Sequence, residues 1–135
     1  MTSNTKHFKK RDAILAYLRQ TNAHPSAETI FTQLKPQIPD LAMGTVYRNL
    51  TLFKEQGLIS SVATVRGVER FDGNTDPHVH FICEGCDAVI DLEQMQIPET
   101  LHRSATQCCG GKINVCQLSF SGLCRDCINE RNETA

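Results

Sequence analysis

Two Cys-x-x-Cys pairs, Cys83/Cys86 and Cys124/Cys127, are separated by 37 residues. Four thiolates select zinc and close it into a tetrahedral structural site. Compact zinc modules leave roughly 15–20 residues between such pairs. The longer gap therefore makes the zinc staple a whole subdomain, returning the chain end to the strand that carries Cys83. Structural zinc contributes roughly 10–16 kcal/mol apparent in small peptide modules, so its loss should unfold or monomerise this half. The bland alternative is four reduced structural cysteines. Cys108, Cys109 and Cys116 are read as spare thiols.

The count of seven cysteines is odd, their pairs have metal spacing, and no apolar signal segment opens the chain. These features favour a cytoplasmic protein over a secreted disulfide framework. No stretch approaches the roughly 20 apolar residues of a membrane span. Upstream of Cys83 the sequence H-V-H-F-I-C places His78 and His80 on one face of a strand, because side chains alternate there. Imidazoles and carboxylates suit Fe, Mn or Zn, so a second metal site is expected beside the first.

The net charge of -1 hides an asymmetry. Residues 1–71 carry 10 Lys/Arg against 5 Asp/Glu, whereas residues 72–135 carry 4 against 10. A basic half joined to an acidic one is the charge layout of a nucleic-acid reader with an appended domain. Within the basic half, Ala13, Ile14, Tyr17 and Leu18 mark one amphipathic helix, led by the basic Lys9, Lys10 and Arg11. Pro25 should hold His24 extended. Ser26 caps a second helix with Ala27, Ile30, Phe31 and Leu34 inward. A third, from about Met43 to Gln56, turns Val46, Leu50 and Phe53 inward and ends at Gly57.

That third helix leaves Thr45, Tyr47, Arg48, Asn49 and Thr51 outside, groups that contact phosphates and base edges in a major groove. An ordinary polar face would look the same, but a β-prone stretch follows, Leu58 to Phe71, broken at Arg66-Gly67. A hairpin directly after a recognition helix is a wing. The turn-rich D-G-N-T-D-P at 72–77 marks the boundary. Beyond it the pattern predicts strands near His78–Ile82 and Ala88–Leu92, a helix from Pro98 to about Thr106, a C-C-G-G loop, and a third strand from Lys112 to Phe120. So small a sheet has an exposed edge and little core, and dimerisation through it is the natural remedy.

The segments H-P-S-A-E-T-I-F, T-V-Y-R-N-L, R-F-D, H-V-H-F-I-C-E-G-C and G-L-C-R-D-C, in this order over nearly the whole chain, resemble the ferric uptake regulator family. Within it the pattern looks most like the peroxide stress regulators. The resemblance implies an α+β chain: a winged helix-turn-helix DNA-binding domain over 1–73, a hinge over 74–77, and an α/β dimerisation and metal-binding domain over 78–135. It implies a homodimeric repressor on a palindromic double-stranded operator, not an enzyme, with structural Zn(II) on the four cysteines. It also implies a regulatory Fe(II) or Mn(II) held by His24, Asp72, His78, His80 and Asp91. Iron-sensing relatives usually carry glutamate where Asp91 stands.

By the same resemblance His24 and His78 are the residues oxidised when Fe(II) meets hydrogen peroxide, after which iron leaves and DNA is released. Thr45, Tyr47, Arg48, Asn49 and Arg66, with Lys9, Lys10 and Arg11, are the expected DNA contacts. The chain departs from the family in three places. Ala42 replaces the usual serine cap, leaving helix N–H groups for another acceptor such as a phosphate. Val115 and Cys116 stand where an additional metal site would need histidine, so that site should be absent or altered. Cys108 and Cys109 match no family pattern. An iron- or other metal-responsive repressor indifferent to peroxide is the nearest rival. A non-haem iron oxygenase conflicts with the five-ligand count, and a thiol redox enzyme lacks a βαβ context.

Overall fold

The structure, a computed structural model, describes residues 2–76, 78–114 and 116–134, with side chains described from residue 9 to residue 131 of these. The chain divides into two compact units, Met1–Thr75 and Asp76–Ala135. Helices α1 (Thr2–Gln20), α2 (Ala27–Leu34) and α3 (Met43–Glu55) precede a hairpin of β1 (Ser60–Val65) and β2 (Val68–Asp72) in the first unit. The second holds β3 (Val79–Cys83), β4 (Val89–Asp91), α4 (Glu99–Cys109), β5 (Leu118–Gly122) and α5 (Arg125–Thr134). Among the described residues no helix is long and apolar enough to cross a membrane.

The helical faces of the first unit follow their 3.6-residue period. Ile14 and Leu18 from α1, Ala27, Ile30 and Leu34 from α2, and Val46, Leu50 and Phe53 from α3 form one core with Leu41, Ile59 and Phe71. Phe31 lies half-buried at its margin. The Ser26 hydroxyl accepts the Thr29 N–H at 3.2 Å and caps α2. Ala42 stands at the head of α3 with no side-chain cap. Val65 pairs with Val68, and Arg66 and Gly67 between them both take positive φ (51° and 80°), the two-residue turn whose twist matches antiparallel strands. Gly73 follows β2 under the end of α1, where a Cβ would stand 2.6 Å from the Leu18 carbonyl oxygen.

In the second unit the strand order is β4-β3-β5, with β3 antiparallel to β4 and parallel to β5. Valines 79 and 89 and Cys83 are buried, but α4 buries none of its side chains, and Ile90, Leu101 and Phe120 are exposed. Three expectations need correction. The last strand occupies Leu118–Gly122 instead of Lys112–Phe120, because β3 offers five positions and these five residues fill them. The expected alternation at Val115 falls outside the described residues. The C-C-G-G loop begins only at Gly110, whose φ of 70° ends α4 after Cys109. A second helix, α5, joins the single helix anticipated.

Candidate metal centres and nucleic-acid interface

Strand β3 delivers Cys83 to the start of a tight turn, where the Asp87 N–H donates to the Cys83 carbonyl at 3.0 Å. This turn presents Cys86, and the first residues of α5 return Cys127 with Cys124 just before them. All four Sγ atoms lie within 4.8 Å of one another. The Cys83–Cys127 separation is 3.6 Å and the Cys86–Cys124 separation 3.9 Å. Tetrahedral zinc with Zn–S near 2.3 Å sets sulfur atoms about 3.8 Å apart, so these residues fit the ion.

The electrostatics agree. Backbone N–H groups aimed at Cys83 Sγ, that of Cys124 foremost and that of Gly85 among them, each at 3.3 Å, hold its thiol down to about 6. The Cys83 and Cys124 sulfurs beside Cys127 push its thiol well above the ordinary range. A cluster of thiolates this tight carries its full charge only around a cation. Gly85 makes the packing possible, since a Cβ there would meet Cys127 Sγ at 2.8 Å.

His24 and Asp72 belong to the first unit, and both are buried, at 1% and 4% exposed. His24 Nδ1 lies 3.5 Å from Asp72 Oδ2. The Asn74 N–H donates to the other Asp72 oxygen at 2.8 Å and fixes the carboxylate. The extended backbone expected at His24 is not what occurs: its φ is 50°, on the left-handed side. The reason lies in β2. Arg70 donates from Nε to the His24 carbonyl and from a terminal nitrogen to the Ala23 carbonyl, while the Phe71 N–H donates to the Pro25 carbonyl.

The second unit contributes His78, His80 and Asp91. His80 pairs with Asp91 across the β3–β4 ladder. One carboxylate oxygen, Asp91 Oδ1, stands 3.3 Å from His78 Nε2 and 3.2 Å from His80 Nε2. The two imidazoles meet edge to face with centroids 4.2 Å apart. His78 Nδ1 lies 2.6 Å from the Asp76 carbonyl oxygen, which only accepts, so Nδ1–H is the donor in this contact and the ring is turned with Nε2 towards Asp91. This arrangement of two imidazole nitrogens and a carboxylate oxygen is a fit donor set for Fe(II) or Mn(II).

On the reading face, Tyr47 is 51% exposed and Arg48 and Thr51 are also exposed. Arg48 donates to the Thr45 hydroxyl at 3.2 Å, and Asn49 turns back to the Thr45 carbonyl at 2.9 Å. Arg66 is exposed at the wing tip and Lys9 on α1. Lys10 pairs with Asp40 at 3.1 Å, and Arg11 lies over the Phe53 ring and donates to Gln56. Sequence reasoning missed three contributors: Arg70, Gly85 and the Asp76 carbonyl. Arg70 carried a signal, since it opens the R-F-D run that ends in Asp72.

The profile described as "Ferric uptake regulator family" matches residues 2–121. The "Peroxide operon regulator" of Bacillus subtilis is 34% identical over 123 residues, 91% of this chain and 84% of that protein. The "Peroxide-responsive repressor" of Staphylococcus epidermidis is 32% identical over 91% of this chain and 81% of its own length. Among solved structures, that of the Campylobacter jejuni peroxide stress regulator superposes with a TM-score of 0.81 at 22% identity, covering 93% of this chain and 94% of that one.

Proposed function

The chain belongs to the ferric uptake regulator family, and from that premise we propose that it is a metal-dependent, DNA-binding transcriptional repressor that senses hydrogen peroxide. The observation that carries the reading is the carboxylate of Asp91 set against both His78 and His80. The relatives named for peroxide response, 32–34% identical over most of the chain, support it. In this reading Cys83, Cys86, Cys124 and Cys127 hold structural Zn(II). His24, Asp72, His78, His80 and Asp91 hold a regulatory Fe(II) or Mn(II). The protein works in the cytoplasm as a regulator and not as an enzyme.

Held there, Fe(II) would supply the one-electron steps by which hydrogen peroxide, a two-electron oxidant, leaves one oxygen on an imidazole carbon and the other as water, chemistry that Mn(II) would leave out. The rest is the work of the chain's own groups. His24 and His78 are the imidazoles that gain oxygen, and an oxygenated imidazole is a poorer donor. Loss of ligation withdraws the metal's preference for the DNA-binding state, and DNA affinity falls as a population shift. The exposed Ile90, Leu101 and Phe120 favour a homodimer built through the second unit. Two recognition helices then read half-sites of a palindrome one helical turn or a multiple apart. Thr45, Tyr47, Arg48 and Asn49 on α3, Arg66 on the wing, and Lys9, Lys10 and Arg11 on α1 supply contacts, with Lys10, Arg11, Arg48 and Asn49 exchanging their intramolecular partners for DNA.

The test is DNA binding by the Fe(II) and Mn(II) forms before and after peroxide, with mass spectrometry of the His24 and His78 peptides. Release of DNA by the iron form alone, with one oxygen gained on a histidine peptide, is expected. Equal resistance of both forms would leave a repressor that responds to metal occupancy alone.

A further inference from the structure

We infer that Arg70 is a positioning residue for the sensor histidine His24: its guanidinium sets the backbone of residues 23–24 so that the imidazole is presented from the left-handed conformation. The inference rests on the proposed role of His24 as a metal ligand. A β-carbon residue at φ 50° is disfavoured on its own account, and the proline that follows restricts His24 further. Such a conformation persists only where its surroundings over-determine it. Here β2 makes three hydrogen bonds to the segment: two from Arg70, to the carbonyls of Ala23 and His24, and one from the Phe71 N–H to the Pro25 carbonyl.

The chemistry needs arginine. A planar guanidinium offers two donors in a rigid fork, matched to two successive carbonyls, whereas an ammonium is a single flexible point charge. The strand places its consequences in order. Glu69 grips α3 through Lys54 at 2.8 Å, Arg70 grips the His24 segment, and Asp72 faces the His24 ring at 3.5 Å. One five-residue strand thus holds the loop, supplies the neighbouring carboxylate and ties both to the recognition helix. Groups that orient metal ligands without touching the metal typically contribute about 10–100-fold in affinity.

The experiment compares wild-type protein with Arg70→Ala, Arg70→Lys and His24→Ala, all zinc-replete, by Mn(II) titration with detection of the free ion. A parallel set is loaded with Fe(II), treated with peroxide, and scored for the ratio of oxygen gained on the His24 peptide to that on the His78 peptide. Arg70→Ala is expected to weaken Mn(II) binding at least tenfold and to move oxygen from His24 towards His78, with Arg70→Lys recovering only part of either change. General destabilisation would lower both peptides together and leave the ratio in place. Should Arg70→Ala fail to fold, Arg70→Gln, which keeps one donor, takes its place. Wild-type affinity and ratio in the Arg70 variants, with His24→Ala impaired, would overturn the inference while sparing the function. No effect from His24→Ala would overturn both.

Discussion

His80 and Asp91 face each other across the β3–β4 ladder, and the carboxylate oxygen that meets His80 at 3.2 Å meets His78 at 3.3 Å. Directly opposed residues on a sheet have Cβ atoms about 5 Å apart. An aspartate therefore reaches the imidazoles without bending, and a glutamate overshoots by one carbon–carbon bond. Asp91→Glu should retain Mn(II)-dependent DNA binding but slow peroxide-driven release of the iron form by roughly tenfold or more. Fluorescence anisotropy on labelled operator, followed in time after peroxide, measures it; unchanged release would remove Asp91 from the account of sensing.

Gly85 lies against the thiol cluster with no room for a methyl group. Gly85→Ala should displace Cys127 and drop zinc below one ion per chain. Because structural zinc contributes on the order of 10 kcal/mol, the second unit should melt far earlier and the dimer should dissociate. Elemental analysis alongside gel filtration decides this.

Phe53 is fully buried at the centre of the helical core. Phe53→Ala should cost about 3–5 kcal/mol in the first unit and abolish operator binding, while leaving the zinc content intact. Thermal melts with and without a strong chelator would separate the two effects, since only the zinc-dependent transition responds to the chelator.

Lys54 holds the Glu69 carboxyl below its ordinary value of 4.5. A depressed folded-state value means the pair adds stability above pH 4.5, and that this is lost as pH falls through the lower folded value. Both groups are more than a third exposed, so the gain is below about 1 kcal/mol. Glu69→Gln should therefore destabilise slightly at neutral pH and match wild type in acid, as urea melts at the two pH values would record.

Arg66 at the wing tip is exposed, whereas Lys10 is half-buried beside Asp40. Arg66→Ala should weaken operator binding uniformly and reduce the slope of log affinity against log salt by about 1. Lys10→Ala should change that slope less, and titrations at several salt concentrations provide the comparison.

Much of this was legible in the residues. The apolar rows of α2 and α3, the Ser26 cap and the Arg66-Gly67 turn are local features whose physics operates within a few residues. The four cysteines were legible because thiol spacing is chemistry before it is structure. What escaped was set by partners distant in sequence. His24 precedes a proline and reads as extended, but Arg70, 46 residues away, draws its carbonyl into the other conformation. The alternation after Lys112 reads as a strand, yet alternation does not supply a neighbour, and β3 accepts only Leu118–Gly122.

Strand β3 carries His80 near its start and Cys83 at its end, only three residues apart, with Cys83 paired to Gly122 of β5. A slip of one residue along a strand sends every side chain to the opposite face. The thiol knot at one end is therefore the anchor that keeps the histidines at the other end in register. Zinc starvation would deafen the chain to oxidant by letting the ruler slide, even where every imidazole survived unmodified.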